Sequence, residues 1–103
     1  MGLTINGTGP VINNSFIQDA TLSAASWVGT VAPFTYSLTI NGVTSTSNQD
    51  LLPSLTISST QIAALQKANI TDAGQSTNTI SLKAFGSKPT IDIPIRVVVR
   101  KYL

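Results

Sequence analysis

Phe34-Thr35-Tyr36-Ser37-Leu38-Thr39-Ile40 places Phe34, Tyr36, Leu38 and Ile40 at alternate positions, with Thr35, Ser37 and Thr39 between them. Successive side chains of an extended strand point to opposite faces, so this period of two predicts a strand with one buried and one wet face. Asn41-Gly42 follows at once. That dipeptide tolerates the positive φ angles of a tight type I′ turn, so Val43-Thr44-Ser45-Thr46 is expected to return as the second arm of a hairpin.

Upstream, Thr21-Leu22-Ser23-Ala24 suggests a short strand leading to Trp27, the only tryptophan. Its size favours a core plug whose indole N–H lies near a polar partner, and an exposed sugar-stacking platform is the other option. Residues 1–18 carry no charged side chain and show no periodicity; Leu3/Ile5 and Val11/Ile12 flank the Asn6-Gly7-Thr8-Gly9-Pro10 segment. They are expected to form an extended N-terminal arm, with residues 19–103 as a single β-rich domain. An uncharged, moderately apolar arm suits a partner's surface, which makes Leu3, Ile5, Val11 and Ile12 candidate docking residues; a poorly ordered terminus is the alternative.

Downstream the period changes. Ser58 fits a helix N-cap, Gln61 three residues on completes a capping box, and Ile57 with Ile62 forms a hydrophobic staple. The helix is expected at about residues 59–68, burying Ile62, Leu65 and Ala68, with Lys67 complementing the negative end of its dipole. So short a helix must pack on a sheet to persist. Asp72-Ala73-Gly74-Gln75-Ser76 suggests a turn, and Ile80, Leu82 and Ala84 alternate with Ser81 and Lys83 as a further strand.

After the Phe85-Gly86-Ser87-Lys88-Pro89 connection, Ile91, Ile93, Ile95, Val97 and Val99 define one face of a long final strand. Asp92, Pro94, Arg96, Val98 and Arg100 occupy the other. Pro94 lacks a backbone donor, which argues for an edge position, and a long edge invites pairing with a second subunit. Pro94, Arg96, Val98 and Arg100 are therefore the candidate self-association edge. The alternative is an edge guarded simply by Pro94 and its flanking charges. The expected fold class is mainly β: a small antiparallel β-sandwich with one short helix and the N-terminal arm.

Composition narrows the function. Charged residues are only 10% of 103, against about 25% in ordinary soluble domains. A weakly charged polar surface costs little to desolvate against a neighbour, which favours assembly. All six basic residues lie from Lys67 to Lys101, spread through a strand-like region with no series of interleaved aromatics to stack nucleic-acid bases, so no nucleic-acid partner is expected. Nor is a membrane partner, because no apolar run approaches the roughly 18–20 residues of a span. The N-terminus lacks the basic and apolar regions of a signal peptide.

Histidine, cysteine and glutamate are absent, which removes the usual general base, the thiolate nucleophile and the preferred zinc ligands. A pair of catalytic carboxylates would have to come from Asp19, Asp50, Asp72 and Asp92, whose surroundings suggest turns and caps instead. No catalytic residue, cofactor or metal site is expected, and the chain is not expected to be an enzyme.

Ser26-Trp27, Pro33-Phe34-Thr35-Tyr36-Ser37-Leu38-Thr39-Ile40-Asn41-Gly42-Val43-Thr44, Leu52-Pro53, Ile57-Ser58-Ser59-Thr60-Gln61-Ile62-Ala63-Ala64-Leu65-Gln66, Lys83-Ala84-Phe85-Gly86 and Pro89-Thr90-Ile91-Asp92-Ile93-Pro94-Ile95 together resemble a recurring module. It is similar to modules of tailed-bacteriophage virion proteins described as head fibre or capsid decoration proteins, over about residues 20–100. Longer proteins of that kind carry a fibrous segment before the module, whereas a short arm precedes it here, which favours a compact decoration. The resemblance implies a virion protein assembled in the host cytoplasm, binding the major capsid protein and forming a homo-oligomer, with a trimer favoured. Deleting residues 1–17 is then expected to abolish particle binding and leave the fold intact. The alternative is a receptor- or carbohydrate-binding tip of a tail fibre, with Trp27, Phe34 or Tyr36 stacking on glycans.

Overall fold

The computed structural model describes residues 12–102, and the side chains of residues 15–101. Six strands and one helix follow in the order β1 (Ile12–Leu22), β2 (Phe34–Thr39), β3 (Asn48–Pro53), α1 (Ser59–Ala68), β4 (Ile70–Ser76), β5 (Thr79–Ala84) and β6 (Ile93–Tyr102). They form two antiparallel three-stranded sheets, β1-β6-β3 and β2-β5-β4. The fold is mainly β, as expected. Alternation supplies the core between the sheets: Leu22, Ile93, Ile95, Val97 and Val99 from the first, and Phe34, Tyr36, Leu38, Ile80, Leu82 and Ala84 from the second. Trp27 is 4% exposed and meets Tyr36 edge-on at 4.9 Å between ring centroids. The expected partner of its indole is missing, because Trp27 Nε1 is buried with no hydrogen-bond acceptor among the described residues.

The helix occupies the expected span. Ser58 Oγ accepts from Gln61 N at 3.1 Å while Ser58 N donates to Gln61 Oε1 at 2.9 Å, satisfying two end groups reciprocally. Ala68 is buried, and Ala64 and Leu65 pack partly buried against the core. Ser58→Ala is expected to destabilise the domain by about 1 kcal/mol, seen as a fall of roughly 4–8 °C in Tm by circular dichroism. A variant melting with the wild type would show that the cap contributes nothing. The helix C-terminus is closed from a distance: Phe85, Gly86 and Ser87 N donate to the carbonyls of Asn69, Ala68 and Lys67.

Four expectations need correction. First, Asn41-Gly42 turns the chain but makes no hairpin. Val43 N donates to Ile40 O with Gly42 at φ 101, yet β2 pairs with β5, and the chain crosses to the other sheet to begin β3. Second, Asp72–Ser76 belongs to a strand. One extra residue bulges β4 between Asp72 and Gln75, Gly74 adopts φ 117, and Gly74 N donates to Asp72 Oδ1. The bulge aims Gln75 inward, where its amide donates to Ser47 O and Thr44 O and accepts from Gln49.

Third, the 1–18 boundary of the expected arm does not hold, because its last seven residues belong to a strand. Residues 12–18 lie in β1, paired with β6 from Ile12↔Tyr102 through Gln18↔Val97. The apolar residues there reach both faces, so their period was masked: Phe16 packs on the core while Ile17 points out. Residues 1–11 lie outside the described residues. Fourth, the final strand is not an edge, since β6 is the central strand of its sheet. Pro94 is tolerated because its carbonyl accepts from Ser54 N, so its missing donor faces the side where β3 has already ended at Pro53.

Candidate functional site

The two outer sheet faces differ in chemistry. On β2-β5-β4 the outward positions are Thr35, Ser37, Thr39, Thr71, Ser76, Thr79, Ser81 and Lys83, mostly hydroxyl groups, with exposed Val28 bridged to Thr35 at the β2 edge. Such groups hydrogen-bond water well and offer an apolar partner little. The outer face of β1-β6-β3 is mixed. Its register places Ile17, Val98 and Asp50 in one row and Asp19, Arg96 and Leu52 in the next, flanked by Ser15-Arg100-Asn48 and by Pro94 beside Thr21.

Ile17 is 59% exposed and Leu52 45%, with Val98 and Pro94 half-buried between their strands. Arg100 Nη2 lies 2.7 Å from Asp50 Oδ2, and this cross-strand pair is half open to solvent. Exposed pairs of this kind contribute under about 1 kcal/mol, so its main effect is to fix two side chains flat along the sheet. Arg96 Nε is covered and has no acceptor among the described residues. Apolar side chains set among two arginines and two aspartates match the composition of protein contact surfaces, where arginine is enriched and net charge is small.

Of the arm candidates, Leu3, Ile5 and Val11 lie outside the described residues, and Ile12 is an opening residue of β1. Pro94, Arg96, Val98 and Arg100 do share one face, but at the centre of a sheet and not along an open edge. Sequence reasoning missed Ile17, Asp19, Asp50 and Leu52, their neighbours on that face. The alternation Ser15, Ile17, Asp19, Thr21 was available as a signal, obscured because Phe16 and Ile17 are both apolar.

The open edges lie elsewhere. Strand β2 is bridged by Val28, which exchanges both backbone hydrogen bonds with Thr35. Strand β3 ends in Pro53, and β4 is broken by its bulge. Strand β1 keeps an unbroken register from Asn14 to Leu22, with no proline, lysine or arginine.

No arrangement suited to acid–base chemistry is present among the described residues. Asp92 Oδ1 accepts from Ala24 N, Asp72 Oδ2 from Gln49 Nε2, and Asp50 pairs with Arg100. No group of three or more potential metal ligands occurs among the described residues. A groove of about 650 Å³ between α1 and the 87–91 segment is lined by Ser59, Thr60, Lys67, Ser87, Lys88 and Thr90 among others, without a carboxylate or an aromatic plane. Trp27, Phe34 and Tyr36 are all buried, so none can stack on a glycan. No described helix is long and apolar enough to cross a membrane. Comparison with known proteins finds no matching family model, no similar curated protein and no similar solved structure.

Proposed function

We propose that the chain is a structural protein of a bacteriophage virion, a capsid decoration or head-fibre protein that binds the major capsid protein and associates with its own copies. The supporting observation is the outer face of β1-β6-β3, which sets exposed Ile17 and Leu52 among balanced charges while the opposite sheet presents mainly hydroxyl groups, with Lys83 and Val28 among them. One face is suited to contact and the other to water. Repeated weak contacts over a lattice would add by avidity, so no single deep pocket is required. Leu3, Ile5 and Val11 remain candidate capsid contacts on sequence grounds. A glycan-binding tip draws no support from Trp27, Phe34 or Tyr36.

Co-sedimentation with capsids lacking this protein tests the proposal. The wild-type chain should bind saturably, and Leu52→Asp should weaken binding by about tenfold or more, as loss of one apolar anchor does, with unchanged Tm. Wild-type protein that stays in the supernatant at every concentration would reject the assignment.

A further inference from the structure

We infer that two copies of the chain associate through the edges of their β1 strands that no other described strand covers, antiparallel about a twofold axis at Ile17. This rests on the self-association part of the function proposed above and replaces the expected threefold axis with a twofold.

The direction of the backbone groups follows from the ladder. Pro94 O faces β3, so Ile95 faces β1 and bonds Ala20, and the residues of β1 alternate from there. Gln18 and Phe16 then bond β6, while Ser15, Ile17, Asp19 and Thr21 turn their N–H and C=O groups away from it. One hydrogen bond supports this directly: Asp19 O accepts from the side chain of Gln18 at 3.0 Å, as a carbonyl without a strand partner would. A row of such groups along an uninterrupted strand is a template for another strand.

The occupant follows from the other edges and from charge. The Val28 bridge, Pro53 and the β4 bulge obstruct the remaining three, which leaves β1 of a second copy as the matching edge within this protein. Register is set by what faces what. An axis at Asp19 would oppose two carboxylates, and one at Gln18 would set each Ile17 against an aspartate, both unfavourable. An axis at Ile17 pairs that exposed side chain with itself and places Asp19 opposite the Ser15 hydroxyl of the other copy. The two Asp19 carboxylates then lie four residues apart along the strands, about 13 Å, beyond the screening length at ordinary ionic strength. The product is one continuous six-stranded sheet carrying both contact faces on the same side.

The full-length chain provides the test. Wild type should sediment at twice the chain mass. Ile17→Pro removes only a donor that points away from β6, and Ile17→Lys places charge at the axis; both should sediment as folded monomers, with the circular dichroism spectrum of the wild type. The chain has no cysteine, so Ile17→Cys gives a single thiol. Residues paired directly across such a ladder have Cα atoms about 5.5 Å apart, within disulfide reach. With oxidised glutathione, Ile17→Cys should yield a covalent dimer and Asp19→Cys should not. A monomeric wild type, a dimer unaffected by Ile17→Lys, or cross-linking through Asp19→Cys in place of Ile17→Cys would overturn the inference. Particle binding is read separately: a β1-linked dimer that ignores capsids rejects the virion assignment alone, and a capsid-binding monomer rejects the twofold alone.

Discussion

Gly86→Ala is expected to destabilise the domain by about 3 kcal/mol or more, a large share of the roughly 5–15 kcal/mol that holds a small protein folded. The cause is space, since a Cβ on Gly86 would lie 2.0 Å from the carbonyl oxygen of Lys67 and 3.2 Å from the carbonyl carbon of Ala68. Both atoms belong to the helix backbone and cannot step aside as the tip of a flexible side chain could. Relief would require the 85–87 segment to lift away, breaking the bonds by which Phe85, Gly86 and Ser87 close the helix C-terminus. The carbonyl of buried Ala68, left without a donor, then adds to the cost. Gly74→Ala is the control: its φ of 117 disfavours a side chain, but nothing lies within 4 Å of the added carbon, and a cost of about 1 kcal/mol is expected. Urea denaturation should show a much lower midpoint for Gly86→Ala at an unchanged slope. Midpoints that coincide for the two variants would refute the steric account.

Deletion of residues 1–17 carries the second large effect, and in the opposite sense from the expectation drawn for a detachable arm. The cut passes through β1, removing the pairs Ser15↔Arg100, Phe16↔Val99 and Ile17↔Val98. It also removes the Phe16 ring, which packs on the core, lies under the Lys101 ammonium at 5.8 Å and fills the space beside Gly42. Val99, fully buried in the intact chain, loses its neighbour on that side. Truncating a buried phenylalanine alone costs about 3–5 kcal/mol, and although Phe16 is only partly buried, the lost ladder bonds bring the expected total to about 3 kcal/mol or more. Deletion of residues 1–11 touches none of the described pairings and should leave Tm within a few degrees. Hydrogen exchange separates the cases: the amide of Val99, which faces Phe16, should lose protection in the longer deletion only. Equal protection in both would return residues 12–17 to the status of an arm.

These two effects divide what is local from what is not. The α1 boundaries were legible because every determinant lies within a few residues of the chain: Ser58 and Gln61 satisfy each other, and Ile62, Leu65 and Ala68 recur at helical spacing. The strands around Phe34, Ile80 and Ile93 were legible for the same reason, since period two is a property of adjacent residues. The chemistry that histidine, cysteine and glutamate would supply was likewise absent from the chain before any fold was considered.

Neighbourhood was not legible. Asn41-Gly42 favours a turn in either setting, but whether Val43 pairs back on β2 or leaves for the other sheet depends on β5 and β6, roughly forty to fifty residues on. Pro94 forbids a donor without saying which side of the strand the donor would have faced; that side proved to lie beyond the end of β3, which let a proline enter a central strand. β1 became a strand because β6 offered it a partner, and the outer face of Ile17, Val98, Leu52 and the paired charges exists only once β1, β6 and β3 lie side by side. The sequence by itself determined periodicity, capping and the inventory of reactive groups, because those act over a single turn or a pair of residues. The tertiary structure alone decided which edges stay open and which side chains share a face, because strand partners are chosen across loops whose length the local pattern does not sense.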